Sequence, residues 1–252
     1  MTKKRLVGTS WRVIDGVEQL DDVAVTAEFD ESNISGSSGC NNYQAKYEVT
    51  GARFRLLGPV AITRKMCPDL QLSVETEFLK QLTNTTSFRL NGDRLELASD
   101  DGRILLVLRR TSAEDLLGEW RVLSMHIPER KAIVSVSDDN LHLKFYGGFI
   151  QGNAGCNAFR GIWSLEGKTL RIGKLTTTAK ECGEAAMTQE KALLNALSSV
   201  AGWRVIGDCL SLLRGDGGIA LSLCRSSMNK PANATAREGQ REYERRRQPN
   251  RN

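Results

Sequence analysis

The side chains of this 252-residue chain best equipped for chemistry are six cysteines, two histidines and a pair of glutamates at matching places in a repeat. The cysteines form three natural pairs: Cys40 with Cys67, Cys156 with Cys182, and Cys209 with Cys224. The first two pairs take equivalent positions in the two copies at nearly the same spacing, which favours a structural disulfide in each half. Closing a loop of about 27 residues stabilises a fold by roughly 3 kcal/mol in an oxidising compartment. Reduced, buried thiols are the alternative in a reducing one. A zinc site is not indicated, because no Cys-x-x-Cys occurs and neither His126 nor His142 lies near a cysteine. A cysteine–histidine nucleophile would need a histidine matched to Cys40, and the first half has none. His142 alternates with Leu141 and Leu143, so it reads as the outward residue of a strand.

Other polar groups also favour structural roles. Gly36 to Gly39 lacks the Lys-Ser or Lys-Thr of a phosphate loop and leads toward a strand, so it reads as a tight turn. Asn41 and Asn157 read as turn residues bonded to local backbone rather than to a ligand. Glu75 and Glu190 are placed near helix starts, where a carboxylate complements the helix dipole. Trp11, Trp120 and Trp203 are assigned to the core, and Trp163, whose counterpart is Tyr47, is the aromatic considered for lining a cavity, with packing preferred. The sequence therefore nominates no catalytic, metal-binding or cofactor-binding residue, and the chain is read as a non-enzyme.

These residues sit in a repeat. Trp11-Arg12-Val13 recurs as Trp120-Arg121-Val122, and Gly36-Ser37-Ser38-Gly39-Cys40-Asn41 as Gly152-Asn153-Ala154-Gly155-Cys156-Asn157. Thr63 to Cys67 matches Thr178 to Cys182, Glu75 to Leu82 matches Glu190 to Leu197, and Gly92-Asp93 matches Gly207-Asp208. Preserved order makes this a duplication. Two domains follow, 1–111 and 112–226, each large enough for its own core. Within each, short apolar runs separated by Gly, Asn, Asp and Ser predict many strands. One helix interrupts them: Val74, Phe78, Leu79 and Leu82 have helical spacing, as do Leu193, Leu194 and Leu197.

A hairpin closes each copy, Leu95–Ala98 returning as Ile104–Leu108 and Leu210–Leu213 as Ile219–Leu223. A two-residue turn at Asp216-Gly217 sets Cys209 opposite Cys224. That register predicts a hydrogen-bonded site, where a bridge is strained and should reduce first. The expected fold class is α+β, mainly antiparallel β: two tandem copies of a curled, barrel-like sheet covered by one helix.

Charge gives little direction. Of the net charge of +5, about +4 lies in residues 226–252, which hold seven Lys or Arg against three Glu. Residues 227–252 are read as a disordered basic tail, since they have almost no apolar side chains. Arg245-Arg246-Arg247 is treated as solvated, and a basic tail without a basic face argues against nucleic acid as the partner. No stretch approaches a membrane span, and the charged start Met1 to Arg5 is not followed by an apolar segment.

The combined pattern resembles the META domain, also called the HslJ-like family. The first copy carries it as Gly8, Trp11, Gly39, Cys40, Asn41, Thr63, Cys67 and Glu75. The second carries it as Gly118, Trp120, Gly155, Cys156, Asn157, Thr178, Cys182 and Glu190. The first departs at its entry, where Gly8 precedes Trp11 by three positions instead of two. The resemblance implies a small α+β fold of bacterial envelope and secreted proteins, linked to heat shock, drug tolerance, motility and virulence, with no established enzyme activity. It also implies a likeness in fold to a pilot lipoprotein that holds acyl chains.

The leading functional expectation is a non-enzymatic envelope or stress protein acting as an interaction module, its partner unknown. The alternatives are a carrier of an apolar ligand such as an acyl chain, and an enzyme whose groups converge only on folding. The family resemblance and the cysteine pairs point to a periplasmic or envelope location. The visible N-terminus, taken as the true start, points to the cytoplasm.

Overall fold

The computed structural model describes residues 5–20, 23–128, 132–136 and 141–225. Alternation of small polar and large apolar residues builds its strands. Along Asn42–Thr50, for example, Tyr43, Ala45 and Tyr47 are buried while Asn42, Gln44 and Lys46 are exposed, the period-two pattern of a sheet with one face inward.

The first half runs β1 (Thr9–Asp15), β2 (Thr26–Phe29), β3 (Asn33–Ser37), β4 (Asn42–Thr50), β5 (Arg53–Leu56), β6 (Ala61–Ile62), α1 (Asp69–Thr83), β7 (Ser87–Asn91), β8 (Arg94–Ala98) and β9 (Ile104–Arg110). Its antiparallel sheet has the order β3-β2-β1-β9-β8-β7-β5-β4, and an additional β3–β4 pairing closes it into an eight-stranded barrel with β6 beside β4. The second half runs β10 (Gly118–Ile127), β11 (Ala132–Ser135), β12 (His142–Tyr146), β13 (Phe149–Asn153), β14 (Ala158–Glu166), β15 (Thr169–Ile172), β16 (Thr176–Thr177), α2 (Glu184–Ser198), β17 (Val200–Ile206), β18 (Cys209–Arg214) and β19 (Ile219–Arg225). Here β10–β19 pairing closes the ring, with β11 on β10 and β16 on β14. The expected curled sheets are thus closed barrels, which periodicity could not decide.

Each barrel is filled by its own side chains. Trp11, Phe29, Phe54 and Leu95 pack in the first and Trp120, Phe145, Leu143 and Leu170 in the second, all buried. The helix adds to the same core: Val74, Phe78 and Leu82, four residues apart, form the buried stripe of α1, and Leu193, Ala196 and Leu197 that of α2. Phe78 packs against Tyr43 with ring centroids 5.1 Å apart. Even the irregularities repeat, since β1 shifts register between Val13 and Asp15 and β10 between Val122 and Ser124.

Between the barrels the chain makes a 3-10 turn at Ala113–Asp115, capped by the Ser112 side chain. Among the described residues no helix is long and apolar enough to cross a membrane. The expected basic tail, residues 227–252, lies outside the described residues.

Candidate functional site

The residues singled out by sequence converge, in both copies, on one clasp. The turn after β3 places Asn41 against Glu75 of α1. The Glu75 carboxylate accepts from Asn41 N (2.9 Å), Asn41 Nδ2 (3.1 Å) and the Ser38 hydroxyl. Asn41 Oδ1 in turn accepts from Thr63 Oγ1 (2.8 Å) and Lys65 N (2.7 Å). The Cys40–Cys67 disulfide ties the same two segments together. In the second copy Glu190 accepts from Asn157 N (2.8 Å) and Nδ2 (3.3 Å), Asn157 Oδ1 accepts from Thr178 Oγ1 (2.7 Å) and Lys180 N (2.8 Å), and Cys156 bonds Cys182. Gly39 and Gly155 both have φ +109°, and a Cβ would come within 3.0 Å of Val74 Cγ1 and 3.1 Å of Gln189 Nε2. Both therefore need glycine for the helix to close on the turn.

Two sequence expectations are corrected here. Glu75 and Glu190 are not at helix starts: α1 begins at Asp69 and α2 at Glu184. They are buried mid-helix, where an unpaired carboxylate would be costly, and they serve as acceptors for the turn. Asn41 and Asn157 bond distant segments rather than local backbone. A buried carboxylate already receiving two or three donors, with both neighbouring cysteines bonded, is suited to closing a fold rather than to proton transfer. The copies differ at one member, Ser38 being replaced by the buried Ala154.

The third cysteine pair also forms, but in a different setting from the one expected. Cys209 faces Cys224 with Cα atoms 4.0 Å apart. Arg225 N donates to Asp208 O at 3.0 Å, so the bonded pair lies one residue outward and the cysteines occupy a close, non-hydrogen-bonded site. The turn explains the change. Its strands end at Arg214 and resume at Ile219, and a register shift between Leu212 and Leu213 absorbs the added length. The expectation that this bridge is strained and first to reduce loses its basis.

At the same positions the first barrel has Arg94 and Arg109. Arg109 forks the Asp115 carboxylate with bonds of 2.8 and 2.7 Å, and Arg12 approaches it at 3.7 Å. Burial, the largest influence on Asp115, pushes its carboxyl up. The bonds from Arg109 and Ser112 N, with the charges of Arg109 and Arg12, outweigh that and hold it below its ordinary value. The bond to Asp115 raises the Arg109 guanidinium. The linker is thereby fastened to the first barrel, while Arg225 reaches Leu117 O (3.1 Å) from the second. Arg110 stacks over Trp11 at 4.6 Å and Arg225 over Trp120 at 4.3 Å, another repeated pairing.

The barrels also touch directly, and unequally. The β17–β18 turn, Gly207-Asp208, rests on β2–β3: Gly207 N donates to Thr26 Oγ1 (3.2 Å), Ala24 N donates to Asp208 Oδ2 (3.3 Å), and Arg204 lies 3.6 Å from Glu28. Gly207 has φ +59°, and a Cβ there would come 2.9 Å from Ser37 Oγ. One row of the receiving face crosses five strands through Ser10, Glu28, Ser35, Gln44 and Ala61. The equivalent row in the second barrel is Glu119, Lys144, Gln151, Arg160 and Thr176. It borders an open cleft of about 660 Å³.

This face leaves no mark in either copy taken alone. Aligning the two copies at outward strand positions would have found it, through the exchanges of Glu28 for Lys144 and Gln44 for Arg160. His142 is half-buried at the edge of the same cleft. Trp11 and Trp120 are fully buried as expected, whereas Trp203 is only half-buried and borders a seam of about 250 Å³ with Arg110, Lys168 and Arg204. Tyr47 packs between Phe29 and Phe54, and Trp163 packs edge-on to Phe145. A more apolar cleft of about 460 Å³ separates α2 from β10 and β11, lined by Met125, Ile127, Val134, Val136 and Ala192 among others. Among the described residues no group of three or more His, Cys, Asp or Glu side chains is arranged to hold a metal ion.

A family model described as META domain matches residues 4–112 and again residues 114–226. Among curated proteins none matches the chain. Similar solved structures include an NMR structure of a protein from Burkholderia xenovorans, 23% identical over 44% of this chain and 87% of that one, with TM-score 0.38. A crystal structure of a DUF4847 family protein from Bacteroides vulgatus is 13% identical over 45% of this chain and 96% of that one, with TM-score 0.35. Neither likeness carries a functional argument.

Proposed function

The chain belongs to the META domain family, once in each half, and on that premise we propose that it is a non-enzymatic interaction module working in an oxidising compartment such as the bacterial envelope. One observation carries the reading: the outer face of the first barrel already grips a protein element, the Gly207-Asp208 turn, through Thr26, Ala24 and Glu28. The equivalent face of the second barrel is open. Filled barrel interiors and saturated clasp residues support binding on outer surfaces rather than chemistry inside. Three disulfides support the compartment, since such bonds persist where thiols are not kept reduced.

A second reading, a carrier of a small apolar ligand, is favoured by the apolar cleft between α2 and β10–β11. Native mass spectrometry of protein purified from its own host separates the two. The module reading expects a retained protein partner and all six cysteines in disulfides. A stoichiometric apolar adduct without a protein partner would replace it with the carrier, and six free thiols would remove the oxidising compartment.

A further inference from the structure

We propose that the outer face of the second barrel, along Lys144, Gln151 and Arg160, is the docking site for an acidic β-hairpin turn of a partner protein. This rests on the reading of the chain as an interaction module and specifies what the module holds.

The molecule supplies its own precedent. On the first barrel the corresponding face holds a hairpin turn, with a backbone N–H given to Thr26 Oγ1, a carboxylate receiving Ala24 N, and a strand cation set against Glu28. The second barrel repeats the strand pairing that builds this face, residue for residue. His142 takes the place of Thr26, Lys144 that of Glu28, and Gln151 that of Ser35. Glu28 and Ser35 are half-buried beside the docked hairpin, whereas Lys144 and Gln151 are exposed at the cleft of about 660 Å³.

Charge selects the occupant. Glu28 meets Arg204, but its counterpart is a lysine and the counterpart of Gln44 is Arg160. Even with Glu119 in the place of Ser10, the row goes from one negative charge to two positive against one negative, so the face has changed from acceptor of a cation to acceptor of an anion. The chain's own free turn fits badly. Gly92-Asp93 is the exposed equivalent of the docked turn, yet a second copy would bring Arg89, the counterpart of Arg204, against Lys144. Like charges facing each other disfavour that head-to-tail contact. Residues 226–252, with seven Lys or Arg against three Glu, have the wrong sign as well. A hairpin from another protein, carrying a carboxylate where Arg204 stands, satisfies both the shape precedent and the charge.

The test uses the full chain and two backbone-cyclised peptides built on Trp203–Leu210 with Cys209→Ser, one retaining Arg204 and one carrying Arg204→Glu. Titration followed by amide shifts should show the Glu form on Lys144, Gln151 and Arg160 with about tenfold tighter binding than the Arg form, as expected for a charge pair at a docking face. Lys144→Glu should reverse that preference, and Gln151→Glu, one strand over, should weaken the Glu form. Both positions are exposed, so neither variant threatens the fold. The proposal is overturned if neither peptide shifts these amides, or if Lys144→Glu leaves the preference intact. It is also overturned if the unmodified chain self-associates through this face, or if inorganic phosphate or a short oligonucleotide displaces the Glu peptide at equal concentration. Failure of the module reading looks different: the peptide binds and responds to Lys144→Glu, yet no host protein is retained by the purified chain. Conversely, a retained host protein that Lys144→Glu does not release leaves the module reading intact and removes this face from it.

Discussion

The two barrels agree on their inner clasp and differ on one outer face. Asn41, Thr63, Glu75 and the Cys40–Cys67 bond reappear as Asn157, Thr178, Glu190 and Cys156–Cys182 with nearly the same distances. The row Ser10–Glu28–Ser35–Gln44–Ala61 reappears in register but with different chemistry, as Glu119–Lys144–Gln151–Arg160–Thr176. The difference separates two jobs. Groups that close the fold have buried partners that punish substitution, whereas outward groups answer only to what they touch. In the first barrel that is the other half of the chain.

The largest expected effect tests the sameness. Removing Cys40–Cys67 or Cys156–Cys182 by paired alanine substitution opens loops of 27 and 26 residues, each costing about 3 kcal/mol. Hydrogen exchange in β4 and β14 reads each barrel separately. A loss in one barrel less than half that in the other would break the claim that the clasps are equivalent.

Asp115 sharpens the asymmetry at the next level, because the second barrel has a disulfide where the first has Arg109. Asp115→Ala removes a two-pronged charge-assisted bond and is expected to cost about 2 kcal/mol. Since the folded carboxyl lies below its ordinary value, its contribution is full at neutral pH and is lost as pH falls below about 4 and through the lowered value. The wild-type chain should therefore lose stability on acidification more steeply than Asp115→Ala. Parallel pH profiles of the unfolding midpoint would remove Asp115 from this role.

The clasp itself contains one difference to exploit. Ser38 donates to Glu75, and Ala154 offers Glu190 nothing. Ser38→Ala should cost about 1 kcal/mol in the first barrel alone, measured by the same exchange probes. An equal loss in both barrels would mean that they unfold as one unit.

Much of this was legible in the sequence. The repeat and the two helices follow from residue spacing, and the cysteine pairs from equivalent positions in the two copies and, for Cys209–Cys224, from the facing strands of a hairpin. Barrel closure was not legible, because the β1–β9 and β10–β19 pairings, which join the first strand of each copy to its last, depend on sheet curvature. Glu75 and Glu190 look like helix-start residues because the apolar stripe begins beside them, whereas the helices begin six residues earlier, directly after Pro68 and Gly183, in a first turn with little apolar periodicity. The setting of Cys209–Cys224 differs from the one its spacing predicts because one added turn residue inverts hydrogen-bond parity while leaving the facing pair in place. The outer row was present in the aligned copies as Glu28 against Lys144, but a charge reversal on a strand acquires meaning only when the opposing element is known.

The smallest expected effect tests the docking precedent itself. Gly92 and Gly207 are equivalent turn glycines with φ of +56° and +59°, so replacing either by alanine carries the same left-handed strain of roughly 1–2 kcal/mol. That shared cost cancels when the two variants are compared. What remains is the neighbourhood: a Cβ at Gly92 meets nothing within 4 Å, whereas one at Gly207 comes 2.9 Å from Ser37 Oγ of the other barrel. The Ser37 hydroxyl can turn away, and Ser37 Cβ, 3.0 Å from the added Cβ, needs to give by only a few tenths of an ångström, so the excess for Gly207→Ala should stay near or below about 1 kcal/mol, the scale of one displaced hydrogen bond. Loss of the Ser37 Oγ bond to Gly39 N would couple that excess to the first barrel's clasp. Exchange should therefore quicken at Gly39 and Thr26 in Gly207→Ala and remain unchanged there in Gly92→Ala. If the two variants are equal in stability and in exchange at those amides, the hairpin does not bear on β2–β3, and the first barrel gives no precedent for the face of the second.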